Sequence, residues 1–153
     1  GFTPNAPELA ADTPVRPDTL YGVSKAFGEA LARYYVERYG MQVACLRIGT
    51  CTDAPIDARS LGTWLSPADC VRLVDACLRA PELTFSIVWG VSDNSDRQWS
   101  LASAHALGYR PRDNAEHYAA DLPPGTAAPS DALVGGGFTT AGFGIDEVAA
   151  RDE

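Results

Sequence analysis

The chain has 153 residues, with 12 basic and 20 acidic side chains and a formal net charge of −8. This balance argues against nucleic-acid binding, which needs a basic surface, and no apolar run is long enough for a membrane span. Hydrophobic residues make up 46% and charged residues 21%, as is typical of a folded globular domain. We therefore expect no nucleic-acid partner and no membrane partner.

The first long element is predicted to be a helix. Several prolines in residues 1–19 predict a surface loop, after which Asp18 or Thr19 can cap a helix over Leu20–Tyr39. Gly40 is a natural residue for its C-terminal end. Apolar side chains recur at three- and four-residue steps and predict a buried stripe: Leu20, Val23, Phe27, Leu31 and Tyr34.

Two short apolar runs predict strands at residues 42–48 and 85–91. Between them, Ser66 and Pro67 predict the start of a helix that stops before Pro81. Further helices are predicted over 99–107 and, after Asp113, to about residue 120. The alternation of helix and strand predicts an α/β fold with a parallel sheet. Two strands are few for a stable sheet, which suggests one end of a larger one.

No metal site is predicted. The four cysteines form no Cys-x-x-Cys pair, and His105 and His117 match no metal-binding spacing. Cys45, Cys70 and Cys77 lie in apolar runs, which is typical of buried thiols in a reducing compartment. We therefore expect the protein in the cytoplasm.

The strongest chemical signal is a tyrosine and a lysine on one helix. Lys25, the only lysine in the chain, follows Tyr21 by four positions, which puts both groups on one helical face. A nearby ammonium favours the phenolate form of a tyrosine, and such a pair can take a proton from an alcohol while hydride leaves its carbon. The alternative is an amphipathic helix with a surface lysine and a packed tyrosine.

A second candidate is Arg59, in the loop after the first predicted strand. Its guanidinium can offer two parallel donors to a carboxylate, in the region where open α/β sheets bind ligands. Pairing with Asp53 or Asp57 is the alternative. Ser24 lies in a sequence close to a Gly-x-Ser-x-Gly nucleophile elbow, but prolines rather than a strand precede it, which argues against a hydrolase.

These residues occur in a recognisable context. The run Tyr-Gly-x-Ser-Lys-x-x-x-Glu after a proline-rich loop resembles the active-site helix of the extended short-chain dehydrogenases, the NAD-dependent epimerase and dehydratase family. Five blocks, at residues 15–35, 46–52, 59–66, 88–90 and 107–116, resemble the uronate dehydrogenases of that family. The resemblance covers nearly the whole chain up to about Val134.

The resemblance implies a Rossmann-like, doubly wound parallel sheet and NAD as cofactor. Residues 1–120 would be the C-terminal part of one catalytic domain, and residues 121–153 a tail rich in Pro and Gly that wraps or frays. The sequence contains no Gly-x-Gly-x-x-Gly turn, since Gly135, Gly136 and Gly137 lack the third glycine and follow no strong strand. We therefore expect the glycine-rich N-terminal half to lie outside this chain, and the isolated chain to be an incomplete enzyme.

The resemblance also implies roles for single residues. Tyr21 would be the base at the C1 hydroxyl of a cyclic sugar acid, and Lys25 would hold the nicotinamide ribose. Ile48 and Cys51 would contact the nicotinamide, and Thr50 and Arg59 would bind the substrate. A sugar-nucleotide epimerase or dehydratase, and a non-catalytic module that associates with another copy, remain as alternatives. A homo-oligomer is compatible with each of these interpretations.

Overall fold

The computed structural model describes residues 1, 3–122 and 133–139. Helix α1 spans Leu20–Tyr39 as predicted, because both of its ends are encoded locally. The hydroxyl of Thr19 accepts a hydrogen bond from the backbone N–H of Gly22 at 3.0 Å. At the other end Gly40 has φ +67°, a left-handed conformation that glycine adopts without steric cost.

The remaining elements follow in an alternating order. They are β1 (Val43–Ile48), β2 (Thr50–Cys51), α2 (Ser60–Thr63), β3 (Trp64–Leu65), α3 (Pro67–Arg79), β4 (Phe85–Gly90) and α4 (Ala102–Ala106), with 3-10 helices at Ala115–Asp121 and Gly136–Thr139. The two main strands and the helix after Ser66 confirm the prediction. The helix predicted over 99–107 is shorter than expected, and the element after Asp113 is a 3-10 helix capped by Asn114.

Both sheets that the described residues form are parallel pairs. β1 pairs with β4 from Val43 opposite Phe85 to Ile48 opposite Gly90, and α3 lies in the crossover between them. β2 pairs with β3, which places Thr50 opposite Trp64. Gly49 joins the two sheets, and a side chain at this position would overlap the carbonyl oxygen of Thr63.

Helices α1 and α3 cover opposite faces of the β1–β4 pair. On one face the guanidinium of Arg33 lies 4.0 Å from the ring centroid of Phe85, and Glu29 pairs with Arg47. On the other face Leu73 of α3 belongs to the same buried cluster as Val88. This layering of helices on both faces is the expected environment of parallel strands.

The predicted buried stripe of α1 is wrong. Leu20 is 89% exposed and Phe27 is 65% exposed, and Val23, Leu31 and Tyr34 are exposed as well. The side of α1 that meets the sheet carries small side chains and the ion-paired Glu29, at positions that include Gly22 and Ala26. The hydrophobic pattern located the apolar face of α1 correctly, but this face is exposed. The strands β1 and β4 contact the neighbouring face of the helix instead.

The loop before α1 and the segment 133–139 are both attached to the body of the chain. The indole N–H of Trp89 donates to the carbonyl of Leu9 at 2.9 Å, and Trp89 stacks on Trp99 with ring centroids 4.4 Å apart. Leu133 forms an antiparallel bridge with Pro4, so this part of the predicted tail wraps against the loop. Residues 123–132 and 140–153 of the predicted tail lie outside the described range. Among the described residues, none of the helices combines the length and the apolar character that a membrane span needs.

Candidate functional site

The predicted site residues lie toward the same edge of the sheet. Going along α1 from Arg33 to Glu29, the contact on the strands moves from Phe85, at the start of β4, to Arg47, near the end of β1. The helix therefore runs antiparallel to the strands, and its first turns lie toward their carboxyl ends. Thr50 and the loop that contains Arg59 follow the carboxyl end of β1. Ligands of open α/β sheets bind at this edge.

Tyr21 and Lys25 are in direct contact in the first two turns of α1. The ammonium of Lys25 lies 4.8 Å from the centroid of the Tyr21 ring, within the range of a cation–π contact. The Tyr21 side chain is 68% exposed, so its phenol is accessible to a ligand. The hydroxyl of Ser24 donates to the carbonyl of Tyr21 at 2.7 Å and is thereby engaged within the helix.

A cavity of about 170 Å³ opens beside Lys25. Gly22 and Ala26 line it from α1, and Trp89 lines it from β4. Val134 lines it from residues 133–139, which we call the wrapped segment. The small side chains on this side of α1 leave room for a ring-sized group next to the lysine. A nicotinamide ring is a group of this size, and Tyr21, Ile48 and Cys51 do not line the cavity.

Thr50 and Arg59 are linked through Thr63. The hydroxyl oxygens of Thr50 and Thr63 lie 3.1 Å apart, and the Thr63 hydroxyl also donates to the backbone carbonyl of Arg59 at 3.3 Å. Thr63 is the last residue of α2, and the carboxylate of Asp57 accepts from the backbone N–H of Ser60, the first residue of α2, at 2.7 Å. The short helix α2 therefore fixes the backbone of Arg59 relative to the end of β1.

The side chain of Arg59 reaches the wrapped segment. Its Nη2 donates to the carbonyl of Val134 at 2.9 Å, rather than pairing with the neighbouring carboxylates considered above. A second cavity, of about 330 Å³, is lined by Arg59 together with Thr63, Gln98 and Trp99. Because Val134 lines the cavity of Lys25 and accepts from Arg59, it connects the two halves of the candidate site.

Ile48 and Cys51 flank the turn at the end of β1. Ile48 is 44% exposed, and Cys51 is exposed in β2. Desolvation, followed by the neighbouring Cys70 and Asp53, raises the pKa of the Cys51 thiol. The Cys51 thiol is therefore protonated at neutral pH rather than a thiolate nucleophile.

Within residues 1, 3–122 and 133–139, no group of three or more histidines, cysteines and acidic residues is placed to hold a metal ion. Sequence reasoning missed two residues that organise the site, Thr63 and Val134. For Thr63 no sequence signal was available, because its partner Thr50 depends on the pairing of two strands of two residues each. The three consecutive glycines after Val134 were a usable signal of close backbone packing.

The parallel strands, the crossover helix and the flanking helix define a part of a Rossmann-like α/β fold. Comparison with known proteins extends this classification. The sequence profile of the NAD dependent epimerase/dehydratase family matches residues 2–52, a range that contains Tyr21, Lys25 and β1.

Full-length relatives make the relationship more specific. The uronate dehydrogenase of Agrobacterium fabrum strain C58 is 46% identical over 138 residues, which cover 88% of this chain and 51% of that protein. An NAD-dependent glucose-6-phosphate dehydrogenase of Haloferax volcanii is 42% identical over 107 residues, covering 67% of this chain and 40% of the relative. The chain spans about half the length of the relatives, or less.

Solved structures agree with the sequence comparison. The crystal structure of a mutant of uronate dehydrogenase from Agrobacterium tumefaciens, complexed with NAD, matches with a TM-score of 0.82 and 41% identity. The match covers 91% of this chain and 54% of that chain. The chain is therefore similar in sequence and in fold to about half the length of a uronate dehydrogenase.

Proposed function

We propose that this chain forms the C-terminal part of an NAD-dependent dehydrogenase that oxidises a hexuronic acid, galacturonate or glucuronate, at C1 to an aldarolactone. The observation that carries the proposal is the contact between Tyr21 and Lys25 at the sheet edge where Arg59 also lies. The similarity to uronate dehydrogenases supports it. The four free cysteines support a reducing compartment such as the cytoplasm.

In the proposed reaction Tyr21 takes the proton of the C1 hydroxyl, with the positive charge of Lys25 beside its ring. As the O–H bond breaks and hydride leaves C1, a C1=O bond forms. Because C1 is already bonded to the ring oxygen, the product is a lactone. NAD, when bound, supplies the acceptor for that hydride. Lys25, Ile48 and Cys51 would contact its nicotinamide and ribose.

Arg59 is proposed to hold the carboxylate of the sugar acid, with Thr50 as a further substrate contact. One N–H of the guanidinium is occupied by Val134, and among residues 1, 3–122 and 133–139 the other N–H groups have no hydrogen-bond partner, which leaves them for a planar anion. A phosphate could use the same donors, and one relative is a glucose-6-phosphate dehydrogenase. The uronate dehydrogenase match is longer and more identical, which favours the carboxylate.

The test is NADH formation by the full-length protein with galacturonate, glucuronate, glucose 6-phosphate and glucose in parallel. We expect turnover with a uronate, and a loss of about 10²-fold to 10⁴-fold in kcat in Tyr21→Phe because the base is removed. Tyr35→Phe, on the exposed surface of the same helix, should retain full turnover. Unchanged turnover in Tyr21→Phe would refute the assigned base, and a preference for glucose 6-phosphate would refute the substrate.

Two other functions remain open to test. Inhibition of activity by uridine diphosphate would favour a sugar-nucleotide epimerase or dehydratase. The exposed apolar side chains of α1, such as Leu20 and Phe27, favour association with another copy of the chain. Self-association with no response to nucleotide or sugar would support a non-catalytic module, whereas a homo-oligomer with uronate activity is compatible with the main proposal.

A further inference from the structure

Residues 133–139 form backbone hydrogen bonds to the first residues of the chain and also contact Arg59. Val134 donates its backbone N–H to the carbonyl of Thr3 at 2.8 Å, and Gly135 donates to the carbonyl of Gly1 at 2.9 Å. The carbonyl of Val134 then accepts from Nη2 of Arg59. The contact with the guanidinium is therefore made by a backbone group that is itself held in place.

Gly136 allows the backbone to approach the arginine closely. Its φ of +53° lies in the left-handed region, where an L side chain is strained. A Cβ added here would lie 2.5 Å from Nε of Arg59 and 2.9 Å from its Cδ. Any side chain at this position would therefore displace the guanidinium or the segment.

The other end of Arg59 is fixed independently. Its backbone carbonyl accepts from the backbone N–H of Gly62 at 3.1 Å and from the hydroxyl of Thr63. Because α2 holds the backbone of Arg59 and Val134 binds one nitrogen of its guanidinium, few conformations remain for the side chain. A preorganised donor loses less conformational entropy when an anion binds than a free arginine does.

We propose that the backbone at Val134 and Gly136 positions Arg59 to bind the anionic substrate. The inference rests on the proposed function, because it assigns a task to the arginine that is proposed to bind the carboxylate. It gives these two residues a role in substrate recognition.

The experiment compares Gly136→Ala with Gly137→Ala in the full-length protein. Gly137 is the matched control, because a Cβ added there meets no atom of the described residues within 4 Å. We expect Gly136→Ala to raise KM for the uronate by about tenfold, with a much smaller change in kcat. A rise of about tenfold is the effect of losing one hydrogen bond between the displaced guanidinium and the charged carboxylate of the substrate. Gly137→Ala should keep KM within about twofold of the unchanged protein.

The split between KM and kcat separates positioning from misfolding, since inactive molecules lower the apparent kcat and leave KM unchanged. If Gly136→Ala is inactive, Thr139→Val decides instead. The hydroxyl of Thr139 donates to the carbonyl of Gly136 at 2.7 Å, so its removal loosens the same turn more gently. A rise in KM in this variant supports the proposal, and an unchanged KM overturns it.

Arg59→Ala distinguishes failure of the inference from failure of the proposed function. If Arg59→Ala raises KM for the uronate and Gly136→Ala behaves like Gly137→Ala, the positioning role is refuted and the substrate contact stands. If Arg59→Ala leaves KM unchanged, the proposed binding role of Arg59 itself is refuted.

Discussion

At the scale of single residues, Tyr109 is the most consequential buried hydroxyl. Its side chain is fully buried, and the hydroxyl donates to the carbonyl of Val91 at 2.9 Å. Tyr109→Phe leaves that carbonyl without its donor, so we expect a loss of about 1–3 kcal/mol in the free energy of unfolding. Urea unfolding measures it, and Tyr39→Phe, at a position 62% exposed, should change stability by less than about 0.5 kcal/mol.

The same residue predicts a pH dependence. Burial, and then the charge of Asp69, raise the pKa of Tyr109 above its usual range, so the folded state keeps the phenol proton longer than the unfolded state does. This contribution to stability is present below about pH 10, the pKa of an unfolded tyrosine, and decreases as the pH rises above it. Tyr109→Phe should lose less stability between neutral and strongly alkaline pH than the unchanged protein. An equal loss in both would contradict the assignment.

Some contacts within the candidate site could be predicted from the sequence, and others could not. Tyr21 and Lys25 meet because four positions along a helix make one face, so their contact was predictable from spacing. The hydrogen bond from Arg59 to Val134 spans 75 positions. No local pattern encodes such a contact, which depends on how the wrapped segment docks against the loop before α1.

At the scale of elements, the ends of α1 were predictable and its docking face was not. Thr19 and Gly40 act through hydrogen bonds to their own helix, so the sequence alone contains the signal. The docking face depends instead on Glu29, which forms two hydrogen bonds to Arg47 of β1 at 2.7 and 2.9 Å. An acidic residue on a helix gives no sequence indication that it faces a sheet.

This ion pair should stabilise the docking of α1 measurably. Both side chains of the Glu29–Arg47 pair are mostly buried, with 20% and 17% exposure. A double-mutant cycle with Glu29→Ala and Arg47→Ala, followed by urea unfolding, should give a coupling energy of about 1–2 kcal/mol.

The Arg33–Glu37 pair on the surface of the same helix is the control. Its side chains are 55% and 69% exposed, and its coupling energy should stay below about 0.5 kcal/mol because water screens it. Equal coupling energies for the two pairs would show that the contact between α1 and β1 adds nothing beyond a surface ion pair.

At the scale of the whole molecule, the alternation of helix and strand predicted the parallel β1–β4 pair and its crossover helix. The second pair, β2 with β3, was missed because two residues per strand carry no periodicity. Its formation depends on Gly49, where the chain passes close to Thr63. The part of the fold that carries Thr50 therefore comes from a tertiary approach rather than from a local pattern.

The described structure also bears on how tightly a polypeptide of these 153 residues binds NAD. Pyrophosphate binds where a glycine-rich turn exposes the N–H groups at the start of a helix. The two long helices of the described residues instead cap themselves, α1 with Thr19 and α3 with Ser66. The cavity beside Lys25, of about 170 Å³, is too small for a whole dinucleotide, and the net charge of −8 gives an anion no general attraction.

We therefore expect this polypeptide alone to bind NAD with a dissociation constant well above the micromolar range, because the nicotinamide end alone contributes only part of the binding energy. Isothermal titration calorimetry with NAD measures this, and circular dichroism of the same sample verifies that its helices are formed. The full-length protein under identical conditions is the control and should bind more tightly. Micromolar affinity of the isolated polypeptide would mean that the described residues hold the pyrophosphate through contacts other than a glycine-rich turn.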